Sequence, residues 1–180
     1  MSIFDKDFKD ILSSQIISTI MGLVAGTILA IHTQKILFIP GMFILLPGFL
    51  EMRGNISGSF AARLSSGLFL GVIKPNRVKT KIVRGNLRAS FLLALFSSFV
   101  LGLLVFLFNL LVFKIFTPEI ILLPLIAGLI ANTIEIPLTL FATFYLFRKG
   151  HDPNNIMGPF VTSTGDLTSI ISLLIALVII

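Results

Sequence analysis

One carboxylate in the chain calls for a chemical explanation because it lies inside a hydrophobic stretch. Asp166 falls within residues 156–180, which contain no basic residue. If a helix begins near Ile156, Asp166 lies about 15 Å along it, near the middle of a hydrocarbon layer ~30 Å thick. An ionised aspartate at that depth costs at least ~2.5 kcal/mol. We therefore interpret Asp166 as part of an ion or substrate path.

Oxygen-bearing side chains recur at helical spacing in three of the hydrophobic stretches. In the last stretch, Thr162 and Asp166 are four residues apart and share one helical face. The other two sets are Glu51, Asn55 and Ser59 with Arg63 in the second stretch, and Asn132, Glu135 and Thr139 in the fourth. Hard oxygen ligands favour Mg²⁺, Ca²⁺ or Mn²⁺ over soft metals. The pattern indicates a divalent-cation site.

Structural roles are alternatives for several of these residues. Glu51 would instead form an interhelical ion pair with Arg53 or Arg63. Glu135, two residues before a proline, would instead be a structural carboxylate that bonds backbone groups freed by the proline. Asn55 follows a glycine, and small and amide residues often serve close helix packing in membranes.

The composition identifies the class of protein that must position these groups. Hydrophobic residues make up 56% of the 180 residues and charged residues only 12%, whereas soluble domains carry about 25% charged residues. The absence of cysteine excludes disulfides and thiolate sites, and two histidines cannot alone build an imidazole metal site. No Gly-x-Ser-x-Gly elbow and no Walker loop is present. We therefore expect an all-α polytopic membrane protein that is not an enzyme.

The hydrophobic pattern predicts five membrane-spanning helices in one domain, after a short cytoplasmic segment at residues 1–10. The expected spans are 11–31, 36–73 (kinked by its prolines and glycines), 89–113, 120–147 and 156–180. Six of the 14 Lys and Arg residues fall in one loop, residues 74–88. This clustering indicates membrane topology rather than nucleic-acid binding. It predicts a cytoplasmic N-terminus and an outer C-terminus, in a multi-pass protein of the cytoplasmic membrane.

Two sets of motifs resemble one known family. The runs GHDPNN (150–155), PFVT (159–162) and GDL (165–167) resemble the last span of MgtE-type Mg²⁺ transporters, and especially of their eukaryotic solute-carrier relatives. The runs RGN (53–55) and AARLS (61–65) resemble the second-span motif of that family. Order and spacing agree, and the resemblance covers roughly residues 36–180. The chain has Gly58 and Gly158 where bacterial members carry asparagine, and Ser57 where eukaryotic relatives carry glutamate.

The resemblance implies a five-span domain that works as a homodimer around a central pore. It implies that Asp166 is the ion-selecting acid, contributed by both protomers, that Asn55 lines the path, and that Thr162 offers oxygen nearby. Together with the polar stripes, the predicted metal-contacting residues are Asp166, Asn55, Thr162, Glu135, Glu51 and Ser59.

These observations predict passage of a largely hydrated divalent cation, Mg²⁺ first and Mn²⁺ or another divalent ion next. A potential of 100 mV would favour entry of such an ion by about 4.6 kcal/mol. Acid pH should weaken binding because protonation removes carboxylate charge. Two alternatives stay open: a Na⁺- or H⁺-coupled exchanger with Glu51 and Glu135 as coupling sites, and a non-transporting membrane enzyme or assembly subunit.

Overall fold

The computed structural model describes residues 5–180, and it confirms the all-α prediction. Helices make up 85% of the structure, and no strand occurs in the part described. Residues 1–4 of the predicted N-terminal segment 1–10 lie outside the described residues. The helices are α1 (Lys6–Ile31), α2 (Thr33–Leu37), α3 (Met42–Phe69), α4 (Lys81–Phe108), α5 (Glu119–Arg148) and α6 (Pro153–Ile179), with a π-helical turn, Asn109–Phe113, directly after α4.

Four of the described helices are long and apolar enough to cross a membrane: α1, α4 with its π-helical turn, α5 and α6. Helix α3 has 28 residues, but it contains Glu51, Arg53 and Arg63 and is not among these four. Length and composition together identify the chain as a membrane protein.

A turn at residues 38–41 divides the predicted second stretch, 36–73, into two helices. Gly41 adopts a φ of +87°, in the left-handed region that favours glycine. Asn109 holds this turn, since its Nδ2 donates to the Pro40 carbonyl oxygen at 2.9 Å and to Thr117 Oγ1 at 3.0 Å. A side chain at position 41 would overlap Asn109. Pro40 and Gly41 therefore end one helix and start another, rather than kinking a single helix.

The basic loop is shorter than predicted because α4 begins at Lys81 rather than near position 89. Thr80 caps the helix, and its Oγ1 accepts a hydrogen bond from Val83 N at 3.2 Å. Lys81, Arg84 and Arg88 consequently lie on the first turns of α4, while the cations that precede Thr80 remain in the loop.

Helices α3 and α6 organise the bundle. Helix α6 packs against α1, α3 and α5, and α3 packs against α4, α5 and α6. Helices α4 and α5 approach closely at small residues. At Gly102 a side chain would meet the backbone of Ile121, and at Gly128 it would meet Ser98. Small residues at helix crossings are what membrane helices use to bring their backbones together.

Helix α1 lies at the edge of the bundle and packs mainly on α6. Its first turns also hold the link between α5 and α6. Lys6 Nζ donates to the Gly150 carbonyl oxygen at 2.5 Å, and Asp10 Oδ2 lies 2.7 Å from His151 Nδ1. The start of α1 therefore fixes the turn from which α6 begins.

Candidate metal site

A cavity of about 450 Å³ lies between α3 and α6 and contains four of the six residues predicted to contact metal. These four are Asp166, Glu51, Asn55 and Thr162. The rest of the wall is apolar or glycine: Pro47, Leu50, Gly54, Gly58, Gly158 and Val161. The two helices that the sequence motifs mark are thus the two that enclose the cavity.

Helix α3 supplies a carboxylate and an amide one helical turn apart. Glu51 and Asn55 share a face because their spacing of four residues is close to one turn. Asn55 Nδ2 donates to Glu51 Oε1 at 3.0 Å. This bond occupies the amide nitrogen and leaves the Asn55 amide oxygen free to face a cation or its water.

Helix α6 supplies the second carboxylate. Asp152 caps the helix by accepting a hydrogen bond from Asn154 N at 2.8 Å, and Pro153 occupies its first turn. One turn before Asp166, Thr162 Oγ1 donates to the Gly158 carbonyl oxygen at 3.1 Å, so its oxygen can still accept. The Asp166 side chain is half-buried and forms no hydrogen bond or ion pair with any of residues 5–180.

The two carboxylates of the cavity interact unfavourably with each other. Glu51 and Asp166 are close enough for their charges to repel. No cationic side chain lines the cavity wall. A divalent cation, bare or hydrated, would relieve this repulsion, because it attracts both carboxylates at once.

The other two predicted residues lie elsewhere. Ser59 is exposed on the same stripe of α3, beyond the cavity. Glu135 is fully buried behind α6, where its Oε1 accepts from Thr164 Oγ1 at 3.0 Å and its Oε2 from Thr168 Oγ1 at 3.4 Å. Its partners are therefore side-chain hydroxyls of α6, on either side of Asp166 in the sequence, rather than backbone groups near Pro137.

Arg53 was considered from the sequence only as an alternative ion-pair partner of Glu51, and its contacts lie elsewhere. The side chain is fully buried, its Nη1 donates to Asn132 Oδ1, and its Nε donates to Ser169 Oγ at 3.4 Å. Its charge also interacts favourably with that of Glu135. Residues two apart on a helix, such as Glu51 and Arg53, do not face each other, so the spacing argues against that ion pair but does not identify the partners of Arg53.

Neither ion pair considered for Glu51 is present. Arg63 Nε donates to Asn86 Oδ1 at 3.0 Å and its Nη2 to Ser90 Oγ at 2.8 Å, both on α4. Within residues 5–180 the single ion pair joins His151 and Asp10. Glu51 therefore keeps its charge available to the cavity.

A single chain offers few ligands for a resident metal. Among residues 5–180, no three His, Cys, Asp or Glu side chains cluster closely enough to hold one. Two carboxylates, an amide oxygen and a hydroxyl suit weak contact with a hydrated hard cation. Weak contact of this kind would suit an ion that passes through the site, because an ion that must leave cannot be held tightly.

Comparison with known proteins points in the same direction as the cavity. The sequence profile of the MgtE family, described as a divalent cation transporter, matches residues 46–176, which include α5 and the cavity-lining parts of α3 and α6. No curated protein matches the chain significantly. The family is one of transporters rather than enzymes. The match covers well over half of the chain, and the chain belongs to the MgtE family of divalent cation transporters.

Proposed function

We propose that the chain carries Mg²⁺ across the cytoplasmic membrane through a pore on the two-fold axis of a homodimer. Membership of a divalent cation transporter family supports the cation. The cavity supports the path, because it brings Asp166, Glu51, Asn55 and Thr162 to one place.

The observation that carries the proposal is the polar surface on which the cavity opens. Glu51, Asn55 and Thr162 are exposed in the single chain, although each lies well inside a long helix. Such groups are costly against lipid and are normally covered by protein or by a water-filled path. A second copy facing the same surface would cover them and would double the carboxylates around one axis.

The proposal includes α3 as a fifth span and a defined orientation. At 1.5 Å per residue its 28 residues reach roughly 42 Å, enough to cross the hydrocarbon layer. Its charged residues are acceptable there because Arg53 is buried in protein, Glu51 faces the cavity, and Arg63 donates to Asn86 and Ser90 on α4. The basic loop then lies in the cytoplasm, with the N-terminus on the same side and the C-terminus outside.

The cavity has the size for a hydrated ion. Mg²⁺ releases water reluctantly and binds six oxygens in an octahedron. Six waters occupy roughly 180 Å³ at ~30 Å³ each, against about 450 Å³ in one protomer's cavity. Glycines at positions 54, 58 and 158 help to keep this volume open. Asp166 and Asn55 would contact the waters of the ion, and the membrane potential would drive its uptake.

Replacing Asp166 tests the proposal. Purified Asp166→Asn protein in liposomes should lose at least about 90% of Mg²⁺ flux, because the mid-span charge that attracts the ion is gone. Glu119→Gln removes a carboxylate at the start of α5, outside the cavity, and should leave the flux unchanged. Normal Mg²⁺ flux through a folded Asp166→Asn protein would contradict the proposal.

Glu51 gives a specific reason to consider a coupled exchanger as the second candidate. A second carboxylate beside Asp166 could bind Na⁺ or H⁺ in exchange for the divalent ion. Glu135, the other proposed coupling site, does not line the cavity. Flux that follows an imposed Na⁺ or pH gradient at zero membrane potential would favour the exchanger over the pore.

A further inference from the structure

We propose that a basic cavity at the start of α4 binds the phosphate headgroup of an anionic phospholipid. This second cavity has a volume of about 650 Å³ and is separate from the metal site. It is lined by the loop before α4 and the first turn of that helix: Asn76, Arg77, Val78, Lys79, Thr80, Lys81 and Arg84.

The charge of this cavity is unbalanced. Four of its seven lining residues are cations, and none is acidic. The sequence contains no Asp or Glu between Glu51 and Glu119, and none of these four cations forms an ion pair with any of residues 5–180. Four like charges around one cavity repel one another, so an anion bound there would be attracted by all of them.

The loop that presents these cations is held to the bundle. Arg148 Nε, at the end of α5, donates to the Pro75 carbonyl oxygen at 2.8 Å. Ile73, just before the loop, is fully buried, and Thr80 caps α4 directly after it. The loop that carries the cations is therefore anchored near both ends, which reduces the cost of ordering its backbone on binding.

The surface next to the cavity indicates that the anion belongs to a lipid. Apolar side chains follow the cavity along the outer face of α4 and are 45–67% exposed: Ile82, Leu92, Leu93 and Phe96. Phe96 lies roughly 22 Å along the helix from Lys81 at 1.5 Å per residue, about the depth of one lipid leaflet. A phosphate in the cavity would thus have apolar surface beside it for its acyl chains, which a free phosphate would not use.

The test compares phosphatidylglycerol, phosphatidylcholine and inorganic phosphate added to the purified full chain in neutral detergent. Bound lipid is counted by native mass spectrometry, and the melting temperature is followed in parallel. We expect phosphatidylglycerol to bind about tenfold more tightly than phosphatidylcholine, because only the former has a net charge for the basic residues to attract. Inorganic phosphate at the same concentration should neither raise the melting temperature nor compete.

Three double variants locate the effect, and the first two remove the same amount of charge. Arg77→Gln/Arg84→Gln should bring the two lipids to within about twofold of each other. Lys9→Gln/Lys149→Gln removes two exposed cations at the same end of the bundle but outside the cavity, and should keep the preference. Arg77→Lys/Arg84→Lys retains the charge and should keep most of the preference, which separates loss of binding from loss of folding.

Three results would overturn the proposal. The first is equal binding of the two lipids by the unmodified protein. The second is an equal loss of preference in both glutamine variants, which would indicate general surface charge. The third is stabilisation by inorganic phosphate as strong as that by phosphatidylglycerol, which would assign the cavity to a soluble anion.

Discussion

Asp166 and Glu51 line the same cavity but are held differently by the fold. Glu51 is exposed and accepts a hydrogen bond from Asn55, one turn along α3. Asp166 is half-buried on α6, without a hydrogen bond to any of residues 5–180. In the proposed pore, Asp166 would set ion selectivity from a fixed position, and Glu51 would add attraction at the edge of the cavity.

Removing the charge of Glu51 should weaken the apparent affinity for Mg²⁺ without abolishing transport. We expect Glu51→Gln to raise the half-saturating Mg²⁺ concentration about tenfold, equivalent to ~1.4 kcal/mol, because the ion loses one of two attracting carboxylates per protomer. The amide can still accept the Asn55 hydrogen bond, so folding should be preserved. Concentration-dependent flux in liposomes measures the change.

The matched control is again Glu119→Gln, an acid removed from the start of α5. Its half-saturating concentration should equal that of the unmodified protein. A Glu51→Gln protein with unchanged affinity would show that Glu51 does not contact the ion path.

The network around Arg53 joins three helices behind the candidate metal site. Arg53 from α3 donates to Asn132 on α5 and to Ser169 on α6. Glu135 on α5 accepts from Thr164 and Thr168 on α6, which flank Asp166 in the sequence. We interpret the network as the support that fixes α6, and therefore Asp166, against α3 and α5.

Breaking one side of this network should destabilise the protein more than removing both sides. Arg53→Met leaves Glu135 buried without an opposing charge, and Glu135→Met does the same to Arg53. Each should lower the free energy of unfolding by about 3 kcal/mol, whereas the double variant should recover only the electrostatic part of that loss, because Asn132 Oδ1 still lacks the Arg53 donor. When Glu135 is replaced, the hydroxyls of Thr164 and Thr168 still have an acceptor, because each also donates to a backbone carbonyl of α6. Thr164 Oγ1, for example, donates to Phe160 O at 2.8 Å.

Melting curves of the four proteins in detergent form a double-mutant cycle. Losses that simply add would show that Arg53 and Glu135 stabilise the bundle independently. The same four proteins should lose Mg²⁺ flux in the order of their instability if the network positions Asp166.

Helical periodicity and spacing predicted the helical fold and put Glu51 with Asn55, and Thr162 with Asp166, on shared helical faces. That Asn55 and Asp166 belong to one path was implied only by the family resemblance. Periodicity and spacing could not predict which way Arg53 points, because that depends on the helices packed against the far side of α3.

At Gly41 the sequence predicted a kink in one helix, whereas the structure has a turn between two helices. Pro40 and Gly41 permit either a kink or a turn, and the choice is made by Asn109, distant in sequence. The local sequence thus identified which side chains share a helical face, whereas contacts with residues distant in sequence determined what each face packs against.

At the scale of the whole molecule, the stripe of polar residues on α3 continues past the cavity to Ser59 and Ser66, both exposed. An exposed polar stripe along a helix proposed to span the membrane calls for a cover. The outer face of α4 is the opposite case, with exposed side chains such as Leu104 that suit lipid. In the proposed dimer, the α3 and α6 surface faces the partner and the outer face of α4 faces the bilayer.

The natural absence of cysteine makes this arrangement directly testable. A single Ser59→Cys substitution gives each protomer one thiol on the polar stripe, so any disulfide must join two protomers. We expect mild oxidation in liposomes to give mainly covalent dimer, because a two-fold axis beside the stripe brings the two thiols together. Leu104→Cys places one thiol on the outer face of α4 and should stay monomeric under the same conditions. Non-reducing electrophoresis measures the dimer fraction of both variants. Cross-linking of Leu104→Cys but not of Ser59→Cys would place the interface on the outer face of α4. That result would remove the basis for a pore between two copies of Asp166.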